Sequence, residues 1–301
     1  MKVICVFELR RLRLLHELLL RGTIAEVATA LAYSPSTVSQ QLALLEREAG
    51  VALLEPDGRR VRLTAHGRLL AAHAARALEL DEAVRAELSG LQSEAGPVKI
   101  AVMPTAAEAL LPPALTLLAR RLPGLRVEAV EMAPEEGLFE LRARGFDLVV
   151  AEQYPGHSRE LHDGMDRVVL GGDPIRLALP PGDGARSLAD LRDRAWVLEP
   201  EGAAVRQWAV QQCRAAGFEP DVRYEATDLI AHARLVAAGH AVAMLPDLVW
   251  TGDRSTVRLL DLPGTPVREI FAATRSSSRD AAAIAAVLAA LTEALRAHRP
   301  R

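Results

Sequence analysis

Between positions 34 and 40 the chain gathers short polar side chains, Ser34, Ser36, Thr37, Ser39 and Gln40, around one proline, Pro35. About twenty residues on, Arg59, Arg60 and Arg62 surround an Asp57-Gly58 pair. Hydroxyls and a carboxamide at the start of a helix can meet base edges and phosphates. Guanidinium groups on a hairpin can pair with a phosphate backbone. The chemistry on offer is hydrogen bonding and charge pairing on DNA. No GxSxG, P-loop, GxGxxG or HExxH pattern occurs, and nothing in the sequence supplies an enzyme's activated nucleophile.

Three local elements must position these groups. Ile24, Val27, Ala28 and Leu31 recur at helical spacing behind Thr23, which can cap the segment. A proline suits the first turn of a helix and not its interior, so the next helix should begin near Ser34, with Ser34 or Ser36 as its cap. In that helix Val38, Leu42 and Leu45 fall on one face, and the polar residues crowd its first turns on the other. VALLEPDGRRVRLT then reads as a basic hairpin turning at Asp57-Gly58. Helix, turn, helix and basic wing, in that order, make a winged helix-turn-helix over residues 1–63.

The stretch LAYSPSTVSQQLALLEREAGVALLEPDGRRVRLTAHG resembles the DNA-binding signature of LysR-type transcriptional regulators. The likeness covers residues 3 to about 68 closely, and the rest follows the family's plan more loosely. It implies DNA contacts from Ser34, Pro35, Ser36, Thr37, Ser39, Gln40, Arg59 and Arg60. Many members carry Gln-Pro after the serine of the turn and an arginine later in the recognition helix. This chain has Pro35-Ser36 and Gln40, so the resemblance does not carry over an operator sequence.

With 301 residues, half of them hydrophobic, the chain can bury full cores in two or three domains. Its net charge of −3 argues weakly against nucleic acid, so the distribution decides. Residues 1–78 hold 11 Lys+Arg against 7 Asp+Glu, and carrying the count on to residue 95 brings both signs to 12. Positive charge is thus local to the reading head, as phosphate contact requires. The two cysteines, Cys5 and Cys213, lie in different expected domains, which fits a reducing cytoplasm and no disulfide framework. The apolar run from Val3 to Phe7 is broken at once by ELRRLR and is no signal peptide. Ala281 to Leu291 is too short and too Ala-rich to span a bilayer. The expected location is cytoplasmic, with no membrane partner.

From Thr64 the composition turns to Ala, Leu and Glu, and Gly96-Pro97 supplies a stop. One helix of about 30 residues, roughly 45 Å long, is expected over 64–95. Leu70, Ala74, Ala77, Val84, Leu88 and Leu91 form an apolar stripe along it. The stripe either packs on its own domain or pairs with the same helix of a second subunit, making a homodimer that addresses two half-sites.

After Pro97 strands alternate with helices: VKIAVM, a helical region broken at Pro112-Pro113, RVEAVEM, APEEGLFELRARG, then FDLVVAE. The rhythm resumes after IRLALP with AWVLEP, AVRQWAVQQCRAAG, DVRYEAT, DLIAHARLVAAG and AVAMLP, and REIFAAT leads into a last helix from about Asp280 to Ala297. Such alternation predicts α/β lobes with helices on a parallel sheet. Residues 96–301 resemble the effector domain of LysR-type regulators, which is similar to periplasmic binding proteins. That implies a first lobe of about 97–171 and 274–298, a second of about 172–273, and a small-molecule effector between them. The crossings are sought in GGDPIRLALPPGD and EIFAATRSSS. The resemblance adds a homotetramer through effector domains and RNA polymerase as further candidate partners, and no cofactor.

Ligands of open α/β sheets bind beyond the carboxyl ends of the strands. That rule selects Pro104, Thr105 and Ala106, then Glu152-Gln153, Glu199 to Gly202, Thr227-Asp228 and Pro246. Thr105 and Thr227 are expected at opposite helix starts, as plain N-caps or as donors to an anion or polar group. Glu199 and Glu201 would repel a dianion and could welcome an amine. Arg206 can clamp a carboxylate or simply face solvent. His157, Glu160, His162 and Asp163 match no helical zinc spacing and read as a solvated loop, with no metal. Cys213 has no neighbouring cysteine to resolve a sulfenic acid, which disfavours a disulfide-based peroxide sensor. Trp208 reads as core. A molybdate-responsive regulator would need a small barrel after residue 97, and an enzyme or exported binding protein would need a catalytic constellation or a leader. The sequence offers neither.

Overall fold

The computed structural model describes residues 6–58, 60–90, 97–157, 162–250, 257–279 and 281–298. They divide into two compact units, residues 1–93 with 143–145, and the remainder.

The first unit opens with a helix that the sequence reading left unassigned, α1 (Leu9–Arg21). Its Leu12, Leu15 and Leu18 are buried against Val27, Val38, Leu42 and Leu45. Each fully buried Leu or Val contributes about 1.5–3 kcal/mol. In α2 (Ile24–Ala30) Thr23 Oγ1 accepts from Glu26 N at 3.2 Å, as its position before the apolar run predicts. Between the alternatives for α3 (Pro35–Ala49), Ser34 is the cap, accepting from Thr37 N at 3.1 Å, and Pro35 sits in the first turn. The wing is β1 (Leu54–Asp57) and β2 (Arg60–Leu63), paired antiparallel with Asp57 opposite Arg60. Glu46 ties the wing to α3, because its Oε1 accepts from Leu53 N and Leu54 N at 2.8 and 3.0 Å.

The long helix is α4 (Ala65–Gly90), 26 residues, capped by Thr64, whose Oγ1 accepts from Gly67 N at 3.0 Å. Gly67 is required for close approach, since a Cβ there would lie 2.1 Å from the Leu53 carbonyl oxygen. The expected stop at Gly96-Pro97 and Leu91 of the stripe fall outside, or at the edge of, the described residues. The two readings of the stripe divide along the helix. Ala71, Ala74 and Leu78 are buried, the first two in the core of the winged domain, and Leu70 and Ala77 pack partly against that core. Val84 and Leu88 are more than half exposed, as are Leu69 and Leu80. The linker helix is therefore part of the same compact unit as the winged domain, where a separate domain over 64–95 was expected.

The second unit follows the predicted alternation. Its first lobe is built from β3 (Val98–Val102), α5 (Pro104–Ala109), α6 (Leu111–Arg121), β4 (Val127–Glu131), α7 (Pro134–Arg142) and β5 (Leu148–Gln153). Strand β3 pairs parallel with both β4 and β5. The helical break falls at Leu110, so that Pro112 and Pro113 stand in the first turn of α6, where missing N–H groups cost nothing. The 15-residue β6 (Met165–Leu179) crosses into the second lobe. There β7 (Ala195–Leu198), α8 (Ala204–Ala215), β8 (Asp221–Glu225), α9 (Leu229–Ala237), β9 (Ala243–Pro246) and β10 (Arg258–Asp261) follow in order. The chain returns along β11 (Val267–Arg275) and ends in α10 (Ala282–Ala297), whose Ile284, Val287 and Leu291 join Ile100 and Val150 in the first lobe's core. Trp208 is core, packed with Trp196 and Leu177 in the second lobe.

The register fixes the crossings. Residues Met165–Pro174 of β6 pair with β11, and Ile175–Leu179 turn to β9 and β10. GGDPIRLALPPGD thus does contain the first crossing, at Pro174. EIFAATRSSS does not contain the second, because Glu269 to Thr274 already lie along β5. The return precedes Val267, and the first lobe regains the chain several residues before the expected 274. The sequence reading missed β10 and did not see that β6 begins ten residues before IRLALP.

Candidate functional site

On the first unit, α3 turns its apolar residues Val38, Leu42 and Leu45 inward and leaves Ser34, Pro35, Ser36, Ser39 and Gln40 exposed, with Thr37 half-buried. The Ser34 hydroxyl lies 2.8 Å from both Ser36 Oγ and Thr37 Oγ1, so three hydroxyls form one small network at the helix start. Gln41, one position from Gln40, is turned the other way and accepts from Arg11 Nε at 3.0 Å. Arg60 is exposed on the wing, and Arg62 pairs with Glu55 across the hairpin at 3.1 Å. Arg59 lies outside the described residues. A face of small donors and acceptors beside a basic wing suits base edges flanked by phosphates.

On the second unit a cavity of about 440 Å³ opens between the lobes. Its walls include Met103, Met132, Pro200 and Leu229, and its polar groups include four carboxylates, Glu131, Glu135, Glu152 and Glu199. Such a cavity, with apolar walls and charged groups side by side, has the size of a small-molecule site. At its floor lies Arg268, 1% exposed. Its Nε donates to Asp173 Oδ2 at 2.9 Å, and Nη2 donates to Thr105 Oγ1 at 2.8 Å and lies 2.7 Å from the same Asp173 oxygen. Nη1 donates to Glu152, and the Tyr154 hydroxyl is a further partner. Asp173 Oδ1 accepts from Leu248 N at 3.0 Å. Asp173 and Arg268 are register partners on β6 and β11, the two strands that connect the lobes.

Burial alone would pull the Arg268 guanidinium down, but Glu152, Tyr154 and Asp173 outweigh it and hold the group above its usual range. Burial pushes Asp173 up, and Arg268 opposes the shift. Tyr154 is held well above 10.0 by burial and by Glu152. Burial also raises the Glu199 carboxyl to about 7, with Glu152 adding to the rise and Arg268 and Arg206 opposing it. At the neighbouring α5, Glu108 is raised by burial, Asp228 and Glu131, a sign that acids converge there.

Of the residues selected by the strand-end rule, Pro104, Thr105, Glu152, Glu199, Gly202 and Thr227 do line this cavity. Ala106 does not, being fully buried in the first lobe's core beside Ile100 and Leu110. Pro246 does not either, since it ends β9 opposite Ile175. Both failed because a strand end fixes where the chain emerges and not which way the next side chain turns. The two threonines are not the matched helix starts expected. Thr105 is buried inside a six-residue helix and accepts from Arg268, while α9 is capped by Asp228, leaving Thr227 an exposed wall residue. Arg206 is held by Glu225 at 2.5 Å and by the Glu199 carbonyl at 3.0 Å, and does not line the cavity. Glu201 pairs with Arg206 at 3.5 Å. Glu160 lies outside the described residues.

Sequence reasoning missed Arg268, the group that organises the floor. A signal existed: an arginine at the head of VREIFAAT, a strand otherwise apolar enough to be central. An unbroken central strand carries a charge only where partners await it.

Comparisons with known proteins agree with this architecture. Residues 9–68 match the profile described as "Bacterial regulatory helix-turn-helix protein, lysR family", and residues 91–296 match "LysR substrate binding domain". The chain belongs to the LysR family: it is a DNA-binding transcriptional regulator with an effector-binding domain, and its relatives are regulators and not enzymes. It is 30% identical over 265 residues to the transcriptional dual regulator GltC of Bacillus subtilis, covering 84% of this chain and 85% of that protein. It is 28% identical over 261 residues to the DNA-binding transcriptional dual regulator OxyR of Escherichia coli, covering 79% and 84%. Among solved structures, a full-length OxyR variant from Pseudomonas aeruginosa shares the fold with a TM-score of 0.69, at 23% identity and 95% of each chain. Among the described residues no helix is long and apolar enough to cross a membrane.

Proposed function

We propose that a small molecule bound between the two lobes of the second unit modulates how a dimer of this chain engages its operator. The observation that carries the reading is the cavity of about 440 Å³ floored by Arg268 of one connecting strand, which is paired with Asp173 of the other. A ligand that favours one disposition of the lobes biases the disposition of the reading heads by the same free energy, which is the linkage an effector needs. Pro104, Thr105, Glu152, Glu199, Gly202 and Thr227 are its effector-contacting residues. Ser34, Ser36, Thr37, Ser39, Gln40, Arg59 and Arg60 contact double-stranded DNA. The protein works where its DNA is, in the cytoplasm, and RNA polymerase is a further partner at the promoter.

Dimerisation uses the C-terminal half of α4. Leu80, Val84 and Leu88 are exposed at spacings of four on one helix, an apolar face that a second copy of the helix can cover. Two reading heads then address two half-sites, and a tetramer would add contacts between second units. An unpaired charge in such a seam has no compensating partner. Leu88→Glu is therefore expected to give monomers in light scattering and to lose cooperative binding in a gel shift with the intergenic DNA upstream of the chain's own reading frame. An unchanged mass would place the seam elsewhere.

Several curated relatives are hydrogen peroxide-inducible genes activators. Cys213 does not support a thiol sensor here. It is fully buried in the second lobe's core, and burial, with Glu219, raises its thiol to about 12. A peroxide-reactive cysteine needs the opposite, an exposed group with thiolate character.

A further inference from the structure

We propose that the ligand of the interlobe cavity is a small organic cation, an ammonium or amidinium on an apolar body. The inference rests on the reading of that cavity as the effector site and adds the ligand's charge.

Four carboxylates line the cavity, Glu131, Glu135, Glu152 and Glu199. Among the described residues that line it, Arg268 is the only Lys or Arg, and its donors are already turned to Asp173, Glu152, Thr105 and Tyr154. An anionic ligand would have to displace Glu152 or Thr105 from a buried guanidinium, trading one charged partner for another and gaining little. Thr105, the hydroxyl best placed for an anion, is occupied in the same way. The α9 start offers no anion site, because Asp228 already accepts from Ile230 N at 2.8 Å. The start of α8 does face the cavity at Ala204 and Val205. Its dipole end is worth about half a positive charge, too little to reverse the sign set by the carboxylates. The remaining wall, with Met103, Met132 and Leu229, suits the carbon body of an amphipathic cation.

Glu199 is the partner for the cation. The groups facing its carboxyl are Glu152 and Tyr154 from β5, Arg268 from β11 and Arg206 from α8, with Glu131 and Glu135 on the first-lobe wall. Arg268 and Arg206 are each held by other acids, so neither closes an ion pair with it. Burial raises its carboxyl to about 7, and a bound ammonium would draw it back down.

The experiment is calorimetry on the full-length protein with three probes of one shape: benzylamine, benzyl alcohol and benzoate. Benzylamine should bind with one site per chain, about tenfold or more tighter than benzyl alcohol, since only the ammonium adds an ion pair to the hydrogen bond that either probe can donate to a carboxylate. Benzoate should bind weakest. Benzylamine affinity should rise from pH 6 to pH 8 as Glu199 ionises, the amine staying charged throughout. Glu199→Gln should flatten that rise and weaken benzylamine far more than it weakens benzyl alcohol. Glu131→Gln, at an exposed rim position, should weaken benzylamine less and serves if the first variant folds poorly. Benzoate binding best, benzyl alcohol matching benzylamine, or no binding by any probe would each overturn the proposal. Failure of the effector reading would look different: benzylamine would bind as expected while operator affinity stayed the same.

Discussion

The exposed polar face of α3 and the floor of the cleft are built from similar polar side chains in opposite circumstances. Ser36, Ser39 and Gln40 are exposed, and their hydrogen-bonding capacity is left to water or to whatever docks there. Arg268, Asp173 and Thr105 are buried, and each is satisfied by another residue of the same unit. An exposed group keeps its solvation, so replacing it changes what is recognised and leaves the fold alone. A buried group has given its water up, and removing it strands the partners. The first region leaves its hydrogen-bonding groups exposed, and the second turns most of its own toward one another.

The strongest break of that contrast is Arg268→Met. It leaves Asp173 and Glu152 facing each other without a cation, which is expected to destabilise the second unit by about 3–5 kcal/mol. All three tryptophans, Trp196, Trp208 and Trp250, lie in that unit, so urea unfolding followed by tryptophan fluorescence reads it selectively. A midpoint equal to that of the unchanged chain would mean that the ion cluster is not what secures the floor. Thr105→Val keeps shape and removes one acceptor from the buried guanidinium, with an expected loss of about 1–3 kcal/mol by the same measurement. No loss there would mean that the Thr105 hydroxyl does not help to hold the guanidinium.

A smaller effect should appear in the pH dependence. The folded value of Glu199, about 7, lies above the ordinary 4.5 of the unfolded chain. The penalty for ionising it is therefore absent below about 4.5, grows as pH rises, and is complete above about 7. Glu199→Gln should thus be more stable than the unchanged protein at pH 8 and no more stable at pH 4.5. Parallel melting curves at both values would remove the shift. Smallest in stability is Gln40→Ala, within about 0.5 kcal/mol as for other surface changes. Its effect should surface in recognition, relaxing base preference at one operator position by about 1–3 kcal/mol in a competition titration. A variant that instead lost folding stability would show that Gln40 belongs to the core of its unit.

What was legible in the chain follows the same division. Ser34 and Pro35 set the start of α3 within four residues, and the 3.6-residue spacing of Val38, Leu42 and Leu45 set its buried face, so both could be read locally. The wing could be read from Asp57-Gly58, because a two-residue hairpin turn favours that pair. Helix α1 was missed because Arg10, Arg11 and Arg13 interleave with Leu12 and Leu15, and charge masked the apolar period. The six residues that line the cavity came from a topological rule about strand ends. Ala106 and Pro246 failed because that rule carries no side-chain direction.

The sequence by itself determined most of the elements, their order and the exposed polar face of α3, because caps, turns and helical periodicity act between residues a few positions apart. Only the tertiary structure decided the cleft. Arg268 meets Asp173, Glu152 and Thr105 across 95, 116 and 163 residues of chain, and no local pattern encodes a contact at such separation. The same holds for α4, whose single apolar stripe was written in the sequence. The fold alone divided it into a half buried against α1 and a half left open, because burial depends on what stands opposite a side chain.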